Sequence, residues 1–153
     1  MKKKLFICIL ILIVVLIGGK YFYDLKNTDK NQILYESEAA KIGVLMPDGY
    51  HENPFAVEEH ITEHGGVTIS FMEPESKALL FTLYSLDKDY WEREVKENFS
   101  IIYSELYSDE NNVILCVNVS DVQYDPDNQE QKEKYFELLD LKDEVCKSLY
   151  ILE

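Results

Sequence analysis

The stretch that decides the fold is Val67-Thr-Ile-Ser-Phe-Met72 followed, after Glu73-Pro-Glu-Ser76, by Ala78-Leu-Leu-Phe-Thr-Leu-Tyr-Ser-Leu86. In the first segment Val67, Ile69 and Phe71 alternate with Thr68, Ser70 and Met72, the period of two expected of a strand with one face on a core. The second is longer and nearly continuous in apolar residues, which predicts a strand covered on both faces. The turn between them carries Pro74. Two adjacent strands of this kind predict an antiparallel sheet.

On the N-terminal side, Phe55–Ile61 alternates as well, with Phe55, Val57, Glu59 and Ile61 on one face and Ala56, Glu58 and His60 on the other. With the turn residues His64-Gly65-Gly66 behind it, this segment reads as the partner of Val67–Met72 in a β-hairpin. Earlier still, Lys41–Met46 is an apolar run stopped by Pro47-Asp48-Gly49, a turn in which Pro sets φ and Gly permits positive φ. Residues 32–40 are compatible with a helical turn or an edge strand.

Beyond Leu86 the chain becomes charged and helix-favouring (87–99), with Tyr90, Trp91, Val95 and Phe99 spaced to face the sheet. Strands are predicted again at Ile101–Tyr107 and from Val113, around the polar tip Asp109-Glu-Asn-Asn112. In the second, Val113, Leu115, Val117 and Val119 share a face opposite Ile114, Cys116 and Asn118. The C-terminal segment reads as one long amphipathic helix. Asp127 and Glu130 have capping-box spacing, and Leu138, Val145 and Leu149 form its apolar stripe, with Tyr135, Leu139 and Cys146 adjoining. The expected class is therefore α+β: an antiparallel sheet of about five or six strands packed by helices, including a long C-terminal one.

The N-terminus predicts an address. Lys2, Lys3 and Lys4 precede an unbroken apolar run from Leu5 to Ile17, and Tyr21-Phe22-Tyr23 closes the segment. Lys20 can snorkel to the headgroups and the tyrosines can sit at the interface, so 1–23 reads as a signal-anchor and transmembrane helix. No small-x-small cleavage site follows the run. The lysines place the N-terminus in the cytoplasm and the remainder outside: a lead-in over 24–40, then an extracytoplasmic domain over 41–153 on a single-pass cell-membrane protein.

Of the 15 basic residues four lie in the first 20 positions, leaving 11 against all 29 acidic ones, a formal charge of −18 on the exported part. Such a surface repels nucleic-acid phosphate and anionic lipid, so nucleic-acid binding is excluded.

Several constellations could carry chemistry. His60-Ile61-Thr62-Glu63-His64 matches H-x-x-E-H, in which two histidines four apart on a helix ligate zinc and the glutamate is the base. The β alternation before it and Gly65-Gly66 after it oppose a helix, leaving a small metal-dependent hydrolase as the alternative reading. His60 and His64, with His51 near, are candidate metal ligands across a hairpin end. Asp121, Asp125, Asp127 and Glu130 could form an oxygen-rich cation site. The EF-hand pattern fails there, since Phe136 occupies the twelfth position from Asp125. Tyr84, Tyr90, Trp91, Tyr103 and Tyr107 read either as core or as a contact surface, and Tyr90 and Trp91 are the candidate exposed partner contact. Cys116 and Cys146 read either as a disulfide pair in an oxidising compartment or as two buried thiols, poor nucleophiles in an apolar setting. Nothing in the sequence calls for a cofactor.

Leu79–Tyr90 (LLFTLYSLDKDY), the strand ending in Ser120–Pro126 (SDVQYDP), the KSLYIL close and the earlier VLMPDGY resemble a group of small exported or membrane-anchored domains of Gram-positive bacteria. The resemblance covers roughly 41–152. It implies a Mog1/PsbP-like fold, the architecture shared by a Ran-binding protein and an oxygen-evolving-complex protein, and implies no catalytic residues. The function expected is a non-catalytic binding module whose partner is another envelope protein or a wall-associated ligand; a basic partner surface suits the charge, as does a solvated surface with no partner.

Overall fold

The computed structural model describes residues 32–121 and 123–153, so the expected membrane segment over 1–23 lies outside the described residues. Among the described residues no helix is long and apolar enough to cross a membrane. Residues Ile33–Glu153 form one compact unit.

The central layer is a five-stranded antiparallel sheet of β3 (Ala56–Ile61), β4 (Val67–Met72), β5 (Leu79–Asp87), β6 (Tyr103–Ser108) and β7 (Asn112–Asn118), in the order β3-β4-β5-β7-β6. The expected hairpin is present, with Ile61 opposite Val67 and Val57 opposite Phe71. The long strand β5 lies in the middle, paired with β4 and β7, as its apolar continuity predicts.

Both faces of that centre are covered. On one, Ile69, Phe71, Phe81, Leu83 and Ile114 form the main core. Phe71 and Phe81 stack with centroids 4.6 Å apart, and Phe55 meets both edge-on, a geometry that the ring quadrupoles favour. On the other, Leu86, Val113, Leu115 and Val117 pack around Trp91. The alternation along 113–118 thus feeds two separate cores.

The second core is capped by a short helical passage. α1 (Lys88–Tyr90) is started by Asp87, whose side chain accepts from the amide of Tyr90. It continues as a π turn over Trp91–Val95, closed by a bond from the Lys96 amide to the Trp91 carbonyl, and ends in a 3-10 turn at Lys96–Asn98. The charged residues Glu92, Arg93, Glu94, Lys96 and Glu97 remain in solvent while Trp91 is buried.

The expected single sheet is in fact two. A three-stranded antiparallel sheet, β1 (Ile33–Ser37), β2 (Ile42–Leu45) and β8 (Tyr150–Ile151), contributes Leu34, Ile42 and Val44 to the main core. The ambiguous 32–40 region thus carries an edge strand inside the compact unit. The C-terminal helix is likewise two, α2 (Gln129–Asp140) and α3 (Lys142–Lys147), broken at Leu141. Leu138 and Val145 of the expected stripe and the adjoining Tyr135 are buried against the main core, whereas Leu149, expected on the same stripe, lies past the end of α3 and is only partly buried. The α2 cap falls one residue later than expected. Asn128, not Asp127, accepts from the Gln131 amide, and Gln131 reaches back to the amide of Asp125.

Candidate binding groove

At the β6 end of the molecule a groove of about 460 Å³ opens between the two sheets. Its walls come from three places in the chain: β6 and its neighbour β7, helix α3, and the C-terminal strand. β6 is an outer strand of the five-stranded sheet and β8 an outer strand of the three-stranded one. The groove is therefore flanked by two sheet edges, and among the described residues neither outer edge pairs with a further strand.

A β-bulge shapes the floor. The β6–β7 register shifts between Glu105 and Tyr107, so Leu106 is the extra residue. A bulge re-aims side chains, and here Leu106 and Tyr107 both pack on the main core and line the groove. Leu149 and Ile151 form the opposite apolar wall, and Ile151 is 43% exposed. Charges of both signs rim it: Glu105 and Asp143, with Lys142 and Lys147. Lys142 is held by the Asn118 amide oxygen at 2.7 Å and by Asp143 at 3.5 Å. The Tyr107 hydroxyl donates to Asp109 (3.0 Å), and that bond keeps its proton on, raising the phenol above its ordinary value.

Cys116 and Cys146 meet in this floor, one from β7 and one from α3. Their sulfurs are 3.0 Å apart, both as free thiols, with Cys146 donating to Cys116. That hydrogen bond lowers the Cys116 thiol against the opposing effect of burial, with Lys142 assisting. The expectation that both thiols are raised is thus corrected for Cys116: a neighbouring S–H stabilises its thiolate. Cys146, which gives that bond and is itself half-buried, is raised.

The other expected sites fare differently. His60 is the penultimate residue of β3 and His64 lies in the turn, where the Thr62 amide bonds to the Gly66 carbonyl and Gly65 takes a φ of +78°. H-x-x-E-H therefore spans a hairpin, not the helical face on which zinc peptidases use it. His64 packs on the Tyr90 ring at 4.9 Å. Among the described residues no three His, Cys, Asp or Glu side chains come together as a metal-ligand group. Asp125 spends a carboxylate oxygen on the amide of Asp127, so it is a turn-former beside the α2 cap.

Trp91 as an exposed contact is corrected outright. It has no exposed surface and sits edge-on to Phe99 and Tyr103 at 5.3 Å each. The reason is that β7 is apolar on both faces, and the larger hydrophobe of the Tyr-Trp pair is needed to cover the second one. Tyr90, half-buried, rests on His64. Tyr84 and Tyr103 belong to the same aromatic packing, whereas Tyr107 faces the groove.

The groove residues Leu106, Lys142 and Ile151 were not singled out by the sequence. They lie far apart in the chain, and only the apolar Tyr-Ile-Leu close after the helix hinted at a further strand. Compared with known proteins, the chain matches no family model, no curated protein and no solved structure.

Proposed function

We propose that this protein is a membrane-anchored extracytoplasmic module that binds an extended segment of another envelope protein and carries out no reaction of its own. The observation that carries the reading is the groove between β6 and β8. An extended chain laid there can add hydrogen bonds to a free strand edge while its side chains fill the apolar floor, the mode called β-augmentation. The mixed charges at the rim fit a polar segment with interspersed apolar residues. The surface charge of the exported part favours a partner with basic character.

The address rests on the lysine-led apolar run at 1–23 and its aromatic collar. The finer fold reading, a Mog1/PsbP-like domain, draws support from a central antiparallel sheet with helical material on both faces.

The test is crosslinking of the full-length protein in native membranes followed by co-purification, beside an Ile151→Asp variant. Ile151 is exposed at the groove wall, so the charge disturbs the groove without opening the core. A specific envelope partner captured by the wild type and lost from Ile151→Asp supports the reading. Equal capture by both would place the contact elsewhere.

A further inference from the structure

The groove floor holds a covalent possibility independent of any partner. Cys116 sits on a central strand and Cys146 on α3, 30 residues later, and their sulfurs touch at 3.0 Å. Both carrying elements are anchored: Ile114 beside Cys116 and Val145 beside Cys146 are buried in the main core. A bonded pair stands about 2.05 Å apart, so roughly one ångström of closure brings the two sulfurs to bonding distance. The two thiols also differ in access. Both line the groove, but Cys116 is only 3% exposed whereas Cys146 is half-buried, which makes Cys146 the sulfur an oxidant reaches first.

We propose that Cys116 and Cys146 are a disulfide-forming pair, closed by exchange with a small-molecule or protein disulfide that enters through the groove, and that the bond staples α3 to β7. The pair first loses one proton to solvent, from Cys116, whose thiolate the Cys146 S–H stabilises; the shared proton then passes from Cys146 to Cys116, placing the thiolate on the more accessible sulfur, near the Lys142 ammonium. This thiolate attacks the incoming disulfide R–S–S–R, forming Cys146–S–S–R and releasing RS⁻, which takes up the Cys116 proton as RSH. The Cys116 thiolate then attacks Sγ of Cys146, and the second RS⁻ leaves and is protonated from solvent, which holds the proton the pair lost at the start. Two thiols are oxidised, one disulfide is reduced to two RSH, and the staple is made. Oxidation shortens the sulfur contact in the groove floor and holds α3 in place as one of its walls.

The inference goes beyond the binding reading and stands on geometry alone, so it is testable without knowing the partner or the compartment. The full chain carrying Cys8→Ser, which leaves only this pair, is reduced and equilibrated in detergent with mixtures of reduced and oxidised glutathione. Free thiols are then counted by mass-tagged maleimide after acid quenching. The expected result is a monomer passing directly from two free thiols to none. The oxidised form should have a folded-to-unfolded ratio higher by on the order of a hundredfold. With Cys116→Ser added, Cys146 should instead stop as a stable mixed disulfide with glutathione. With Cys146→Ser, the buried Cys116 should remain free while the chain is folded. Accumulation of a one-thiol species in the Cys8→Ser chain, disulfide-linked dimers, or failure to oxidise would each overturn the proposal.

Discussion

The ring of Tyr150 lies over Gly43, its register partner across β2 and β8, so closely that a Cβ at Gly43 would overlap the ring carbons and hydroxyl. A glycine inside a strand marks such an approach by a bulky neighbour. The seated phenol donates to Glu36 at 2.7 Å, and burial with that bond pushes its pKa up to about 12. The prediction is that Gly43→Ala expels the ring. Alkaline spectrophotometric titration should then show one tyrosine moving back toward the ordinary value near 10. Gly43→Ala should also lose about 1–3 kcal/mol of stability, and should lose less when combined with Tyr150→Ala, because the ring it displaces is gone. Full additivity would refute the contact.

The same phenol has an alkaline consequence. Its folded pKa is raised, so its contribution to stability is complete below the unfolded value near 10 and falls away as pH rises through about 12. Denaturant midpoints measured between pH 9 and 12 should fall more steeply for the wild type than for Tyr150→Phe. Parallel curves would show that Glu36 and burial do not hold the proton.

Glu73 supplies the acid limb. It is 4% exposed, and burial alone would raise its pKa. The hydroxyl and amide of Ser76 and the amide of Glu75 donate to its carboxylate, and with the Lys134 charge they bring it below the usual range. A depressed folded pKa contributes stability above the unfolded value, about 4.3, which is lost as pH falls below it through the folded value. Glu73→Gln should therefore flatten the acid end of the stability curve and cost on the order of 1–3 kcal/mol near neutral pH, as hydrogen bonds to a buried charge typically do. Urea midpoints from pH 2.5 to 7 check this, and an unchanged slope would sink it.

Two neighbouring residues compete for the start of α2, and only one caps it. Asn128→Ala should destabilise by roughly 1 kcal/mol, since it removes the acceptor for the Gln131 amide. Asp127→Ala should cost only a few tenths, as its structural tie to this turn is through its backbone amide. Thermal unfolding of both variants decides between them, and the reverse order would return the cap to Asp127.

Trp91 is the single tryptophan, and its buried indole nitrogen has no hydrogen-bond partner among the described residues. Native fluorescence should be blue-shifted and inaccessible to acrylamide. Trp91→Ala should cost about 3–5 kcal/mol through the cavity it leaves. Trp91→Phe should cost much less, because it keeps most of the ring while removing an unsatisfied donor. Strong quenching in the folded state would contradict the burial.

How much of this was legible beforehand differs by element. The hairpin 56–72, the doubly covered strand β5 and the two-faced strand β7 follow from alternation and apolar continuity, because a strand's side chains must point to one layer or the other. Tyr135, Leu138 and Val145 were legible for the same reason at helical period. By itself, then, the sequence determined the α+β class, the strands of the central sheet, the buried stripe of the C-terminal helices and the acidic balance. The tertiary structure alone decided that β1, β2 and β8 leave the central sheet to form their own, since strand pairing is a long-range choice that local pattern does not encode. It also decided that Trp91 turns inward and that Cys116 and Cys146 meet. Each of these depends on which surface is left uncovered once the sheet has formed, and that is a property of packing shared among distant residues.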